Sequence, residues 1–246
     1  MGVFNMVKVK TVREYLGEIT PGGILLLSYD QYSLGWKIGV KLVKEEIENG
    51  NFALLTNVAV PFRKFCAKIE AAGLDVIQEG KNGNLAIINV FEGEAHYDFV
   101  YNVDKVDGGT FISKYVEVKK QITKKYNLKE RKVVHAFVTL DTLYERFGAS
   151  TVKKLFQARL FAGEKLVEKG YWFWDILIVN RDVVSKELHS WMVSISDYVI
   201  FTQGILKENE FVENIAVLKG LSRGFRPVVL QMKTPAVLAP RERIHI

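Results

Sequence analysis

The chain is poor in the residues that most often announce chemistry. Cys66 is its only cysteine, and it has four histidines and five prolines. A single cysteine excludes an intrachain disulfide and a cysteine-based metal site. His96, His135, His189 and His245 lie far apart and show no ligand spacing, so they are read as structural and no metal is expected. The longest near-apolar runs, residues 24–27 and 171–179, fall far short of the ~20 residues that span a bilayer. The first residues carry no signal-peptide pattern. The expectation is a soluble, cytoplasmic protein with no membrane partner. The prolines are scattered, and no linker-like stretch or solenoid-period repeat divides the sequence. Residues 1–246 are therefore expected to form one domain.

Negative charge is scarce in one place. The formal charge of the chain is +6. Between Lys114 and Lys132 eight basic residues stand against only Glu117 and Glu130. That segment accounts for the whole surplus, so the basicity belongs to one helix rather than to the protein at large.

Hydrophobic periodicity and turn residues divide the rest. Val12, Tyr15, Leu16 and Ile19 follow helical spacing, and Thr20-Pro21-Gly22-Gly23 turns the chain. Residues 24–27 are a continuous aliphatic run, as in a central parallel strand covered on both faces. A helix is predicted over 34–48, stopped by Asn49-Gly50. A strand at 52–56, a helix through Phe65, Ile69 and Ala72, and a strand at 85–90 follow. Residues 94–109 are less regular, with an extended excursion at 97–103. The basic helix spans 111–126. Strands are predicted at 133–140 and 172–179, separated by a helix that Ser150 N-caps and Gly170 ends. A helical stretch then reaches Trp191. Short strands at 198–202, 215–219 and 227–232 close the chain. Alternation followed by a β-rich tail predicts a three-layer α/β fold, its mostly parallel sheet extended by antiparallel C-terminal strands.

This order resembles the RecA-type P-loop ATPase core, most closely its KaiC-like and RadA-like branch. Residues 15–23 (Tyr-Leu-Gly-Glu-Ile-Thr-Pro-Gly-Gly) resemble the short helix and Gly-Gly turn that enter the first core strand of KaiC-like proteins. Ala72-Gly73-Leu74-Asp75 resembles the end of their second helix. Asp197-Tyr198-Val199-Ile200 resembles their Asp-led strand, and Lys219-Gly220-Leu221-Ser222-Arg223-Gly224 the basic turn between their last two strands. The resemblance covers about residues 12–232. The chain is also similar to an archaeal family of uncharacterised proteins grouped with the P-loop NTPases but lacking their signature. The first resemblance implies a RecA-like fold; the second brings no activity with it. In active KaiC-like relatives the basic turn faces the neighbouring subunit's nucleotide. This implies Lys219 and Arg223 as subunit-interface candidates and a homo-oligomer as a possible state.

Against that pattern the hydrolytic parts are missing. A P-loop needs glycines for close backbone approach to phosphate, a Lys for the terminal phosphates and a Ser/Thr for magnesium. With the strand ending at Ser28, the Lys position holds Gly35 and the Ser/Thr position holds Trp36. Tyr29, Tyr32 and Trp36 are expected to fill the space of the nucleotide. The glutamate pair that KaiC-like enzymes carry after their second strand is absent from residues 56–61. No catalytic residue is assigned, and neither ATP nor magnesium is expected as a cofactor. What remains is a degenerate anion site whose candidates are Ser28, Tyr29, Asp30, Ser33 and Lys37, with Asp141 and Asn180 at the ends of later strands.

Two further features carry a choice of readings. Lys119, Lys120, Lys124 and Lys125 are placed on roughly one side of the basic helix, where they could meet a nucleic-acid backbone or another acidic partner. The preferred reading is a solvated lysine face of the kind seen in thermophilic proteins. In Tyr171-Trp172-Phe173-Trp174, strand alternation sends Trp172 and Trp174 to one face and Phe173 to the other, as core. The sequence thus reads as a non-catalytic RecA-like protein with a regulatory or interaction role. The alternatives are a nucleic-acid-binding protein using the basic helix, and an atypical nucleotide-binding enzyme using Lys37 and Asp141.

Overall fold

A computed structural model describes residues 12–91, 95–103, 106–207 and 210–235; His245 lies outside them. The elements in chain order are α1 (Val12–Leu16), β1 (Ile24–Tyr29), α2 (Trp36–Glu48), β2 (Phe52–Asn57), α3 (Phe62–Glu70), α4 (Val76–Lys81), β3 (Leu85–Asn89), β4 (Val100–Asn102), α5 (Phe111–Lys125), β5 (Lys132–Phe137), α6 (Leu140–Glu168), β6 (Trp172–Asn180), α7 (Lys186–Ile195), β7 (Tyr198–Lys207), β8 (Glu210–Lys219) and β9 (Val228–Pro235).

The strands form one sheet in the order β4-β3-β2-β5-β6-β1-β7-β8-β9. Every pairing from β4 across to β7 is parallel, whereas β7, β8 and β9 pair antiparallel. All six residues of β1 are buried, as its unbroken aliphatic sequence requires in a strand covered on both faces. Alternation splits the side chains between two cores. Leu25 and Leu27 join Val40, Val43, Phe65 and Ile69 on one side, so α1 to α4 cover that face. Ile24 and Leu26 join Phe111, Tyr115, Phe156 and Met192 on the other, under α5, α6 and α7. Each fully buried aliphatic or Phe side chain contributes ~1.5–3 kcal/mol. Trp172 and Trp174 pack on the first face and Phe173 on the second. The helix after β1 lies on one face and α7, which carries the chain from β6 across to β7, on the other. The switch point of the sheet is therefore at the carboxyl end of β1.

Several elements differ from the sequence reading. The strand expected over 133–140 ends at Phe137, and Leu140 already begins α6. A short apolar run cannot by itself distinguish strand from helix. Gly148, at φ 76° and ψ 167°, breaks α6 into two helical segments. Ser150, expected to cap the second segment, stands two residues past this break, at the start of that segment. The unpredicted α4 is capped by Asp75, whose Oδ1 accepts from the backbone N–H of Ile77 at 3.0 Å and Gln78 at 2.9 Å. The C-terminal strands are longer than read: β7 and β8 have 10 residues each.

Candidate functional site

The loop between β1 and α2 occupies the switch point, and its polar groups are engaged by the protein itself. Leu34 N–H donates to Glu213 Oε2 at 3.1 Å, and Ser33 Oγ donates to Glu213 Oε1. Ser33 Oγ also meets Thr202 Oγ1 at 2.7 Å and accepts from Gly35 N–H at 2.9 Å. Glu213 comes from β8 and is buried. Asp30 Oδ1 accepts from Gly204 N–H at 3.1 Å, while its Oδ2 lies 3.1 Å from Arg181 Nη2. Gln31 N–H donates to Asp182 at 2.9 Å. Ser28 Oγ is 2.8 Å from His189 Nε2. Gly35 is required here for space: a Cβ would stand 1.9 Å from Thr202 Oγ1. At Gly204 a Cβ would stand 2.4 Å from the carbonyl oxygen of Tyr32.

The expected aromatic filling is corrected in part. Tyr29 is buried, but Tyr32 is 67% exposed and points away from the core. Trp36 is half-buried and lies under Lys68 Nζ at 4.9 Å and Lys37 Nζ at 5.8 Å from its ring centroid. Asp141 sits in the first turn of α6, where it accepts from Asn180 N–H at 3.3 Å. Burial pushes the Asp141 carboxyl up, opposed by the Asn180 hydrogen bond and by the charge of Lys68. Burial likewise raises the Tyr29 phenol, with a further contribution from Asp141. The cation felt by Asp141 is therefore Lys68, on α3, a residue the sequence reading did not consider.

The lysines of α5 do not share one face. Lys125 Nζ turns sideways to the carbonyl of Asp98 at 2.6 Å. Lys120 and Lys124 are exposed. Lys119 is half-buried and faces inward, and its ammonium has no hydrogen bond or ion pair among the described residues. Lys219, proposed for a subunit interface, donates to the carbonyl of Ser196 at the end of α7 in its own chain. Arg223 is exposed in the turn before β9.

Lys119 opens onto a cavity of about 760 Å³ between the sheet and the helices α5 and α6. Its floor is a polar cluster on β5 and β6. His135 Nδ1 lies 3.0 Å from Asp175 Oδ1, and Arg159 Nη2 lies 2.5 Å from Asp175 Oδ2. That second approach lacks hydrogen-bond alignment, and neither atom has another hydrogen-bonding partner among the described residues. Arg159 also stacks 4.1 Å over the Phe173 ring. His135 Nε2 meets Tyr115 OH at 2.9 Å and Thr56 Oγ1 at 3.0 Å. With Nδ1–H donated to Asp175, Nε2 accepts from one of the two hydroxyls.

The charges of this cluster follow from burial and proximity. Burial brings His135 down to about 4, assisted by the charge of Lys119. Burial alone would raise Asp175, but Arg159 and the His135 hydrogen bond hold it below the usual carboxylate range. Burial lowers Lys119 to about 8, opposed by the negative charge of Asp175. At neutral pH the imidazole is thus neutral beside an ionised Asp175. The order carboxylate, imidazole, hydroxyl is that of a nucleophile-activating relay. Of its two hydroxyls, Thr56 is fully buried and does not line the cavity, whereas Tyr115 borders it. Burial raises the Tyr115 phenol and keeps it protonated, so the cluster orients the ring.

None of His135, Asp175, Arg159, Tyr115 and Thr56 was singled out from sequence. One signal was present: Asp175 is a lone charge inside a long, mostly apolar strand, and a buried charge requires partners. Its partners lie 40 and 16 residues away in the chain, beyond any local pattern.

The strand order and the switch-point loop define a RecA-type α/β fold of the KaiC-like kind. Among solved structures, the chain is similar to the uncharacterized protein PH0321 from Pyrococcus horikoshii, in complex with an unknown peptide. That match has 18% identity and a TM-score of 0.72, covering 88% of this chain and 94% of the other. It is also similar to the KaiC-like protein PH0186 of Pyrococcus horikoshii OT3, at 13% identity and a TM-score of 0.58, covering 89% and 87%. No protein-family model matches the chain, and no curated protein matches it in sequence. Among the described residues no helix is long and apolar enough to cross a membrane, and no group of His, Cys, Asp and Glu could hold a metal ion.

Proposed function

We propose that this is a RecA-like protein without ATPase activity, its nucleotide site closed from within, and that it acts by binding. The observation that carries the reading is Glu213, which accepts from Leu34 N–H and Ser33 Oγ. In a working P-loop the corresponding loop groups converge on phosphate oxygens. Here a carboxylate from β8 takes that role, and like charge disfavours a phosphate beside it. The absent Lys and Ser/Thr of the motif and the absent glutamate pair point the same way. PH0321, similar in fold, is solved with an unknown peptide, which supports a binding role on this scaffold.

Titration calorimetry with millimolar ATP and magnesium tests the proposal. The expected result is no heat and no thermal stabilisation; saturable binding overturns it in favour of an atypical nucleotide site around Lys68 and Asp141. Self-association through the turn carrying Arg223 belongs to the same reading, and a strict monomer in sedimentation at high concentration removes that part. Nucleic-acid binding by α5 is the weaker reading, because Lys119 faces inward and the Lys125 ammonium is tied to the carbonyl of Asp98.

A further inference from the structure

Protein interiors rarely leave gaps larger than a water molecule, yet α5 and α6 stand apart over about 760 Å³. That is within the range of sites that enclose small molecules, ~300–1,000 Å³. The side chains of α6 that border it are small at Ala158 and Ala162, where larger ones would close the gap. The lining is chemically divided. Leu54, Val133, Leu155 and Phe173 make an apolar wall along the sheet and helix. Six cations, Lys119, Lys120, Lys124, Lys129, Lys165 and Arg159, line the same cavity against a single carboxylate, Asp175. Asp175 is already paired with Arg159 and hydrogen-bonded to His135. The ammonium of Lys119 is left facing the cavity without a counter-charge in contact.

We propose that the cavity between α5 and α6 binds an amphiphile with one anionic head group on an apolar body, the head at Lys119 and the body along the apolar wall. Carboxylate and phosphate heads share the chemistry that Lys119 requires. An apolar body is needed because an apolar cavity of this size loses dispersion contacts when nothing fills it. The basic rim draws an anion toward the mouth. A polynucleotide would meet only the rim lysines and would leave the interior empty. A bound anion also relieves the cost that burial imposes on the Lys119 charge, so its binding weakens as pH rises past the value near 8. The inference concerns the face opposite α2 and stands whether or not the switch-point loop accepts ATP.

The test is titration calorimetry with dodecanoate and dodecyl phosphate below micelle formation, and with dodecanol as the uncharged control. Both anions are expected to bind the wild-type chain at least tenfold more tightly than dodecanol. Lys119→Met is expected to abolish that preference, whereas Lys125→Met, whose ammonium faces Asp98, leaves it intact. Ala158→Trp, a change at an exposed helix position that plugs the cavity, is expected to weaken all three ligands at least tenfold. Melting curves and circular dichroism confirm that each variant is folded; should one fail to fold, competition by dodecanol against dodecanoate in the wild type still reads whether one site holds both. Equal affinity for dodecanoate and dodecanol, or binding that survives Ala158→Trp, overturns the proposal. So does a uridine oligonucleotide that binds with steep salt dependence and is unaffected by Ala158→Trp while dodecanoate does not bind.

Discussion

Arg159 on α6 holds the carboxylate of Asp175 in the centre of β6 at 2.5 Å. It is the principal fixed link between that helix and the polar floor beneath it. The Arg159 side chain is 12% exposed and that of Asp175 1%. Such a pair adds little net stability relative to apolar residues, but removing one partner strands the other charge.

Arg159→Leu is therefore expected to destabilise the fold by ~3–5 kcal/mol. Asp175→Asn strands Arg159 and leaves His135 Nδ1–H a neutral amide oxygen in place of a carboxylate, with a similar cost. The double substitution is expected to cost much less than the two single changes summed, because they share one interaction. Urea unfolding of the four proteins measures the coupling. Additive losses would show that the two side chains do not depend on each other.

How much of this was visible in the sequence depended on the range of the interaction. β1, with its unbroken aliphatic run, and the alternation of Trp172, Phe173 and Trp174 were legible because period and composition are local. The parallel sheet with an antiparallel extension followed from element order. Glu213 was not legible as a partner of Leu34, since the two are 179 residues apart and meet only because β8 runs antiparallel to β7. The lysines of α5 were misplaced for a different reason. Doublets at positions 119–120 and 124–125 span most of the turn of a helix, so they cannot share a face. His135 was read as structural, and its hydrogen bonds show it to be the link between Asp175 and Tyr115.

A pH dependence follows from the neutral state of that imidazole. The folded chain lowers His135 from 6.5 to about 4. An unfolded chain takes up this proton as pH falls below its own value, and the folded chain does not. The stability due to this group is thus complete above 6.5 and is lost as pH falls through the window down to about 4. The slope from one proton is at most ~1.4 kcal/mol per pH unit. His189 is also lowered, by burial and by Arg181, so the comparison must be made between proteins. His135→Gln is expected to start less stable and to lose less between neutral pH and that lower limit. Parallel curves would place a charged or exposed imidazole in the folded state.

The Glu213 contacts lead to an independent prediction at the other end of the strands. Glu213→Ala removes the acceptor of Leu34 N–H and Ser33 Oγ in a partly buried loop, leaving Ser33 only Thr202 as a side-chain partner. A lost hydrogen bond to a charged group costs ~1.5–3 kcal/mol, and a loss of that size is expected in denaturant unfolding. Hydrogen exchange at the Leu34 amide is expected to speed up more than at Val43, which sits in the α2 core. Unchanged protection at Leu34 would mean that the carboxylate does not hold the loop.

Gly163 offers the sharpest test of the cluster, because two effects of opposite sign compete there. Replacing a helical Gly by Ala ordinarily stabilises by ~0.8–1.0 kcal/mol. At Gly163 the new Cβ would stand 2.4 Å from Arg159 Nη1. An arginine tip could swing aside at little cost if it were free. This one is tied to Asp175 and lies 4.1 Å over Phe173, so moving it loosens a pair whose disruption costs ~3–5 kcal/mol. Gly163→Ala is therefore expected to destabilise the wild-type chain. In an Arg159→Leu background no guanidinium remains to be displaced, and the same substitution is expected to stabilise by up to ~1 kcal/mol, the helix-propensity gain alone. Unfolding free energies for the two backgrounds give the sign directly. Stabilisation in both would mean that Arg159 reaches Asp175 without the space that Gly163 leaves.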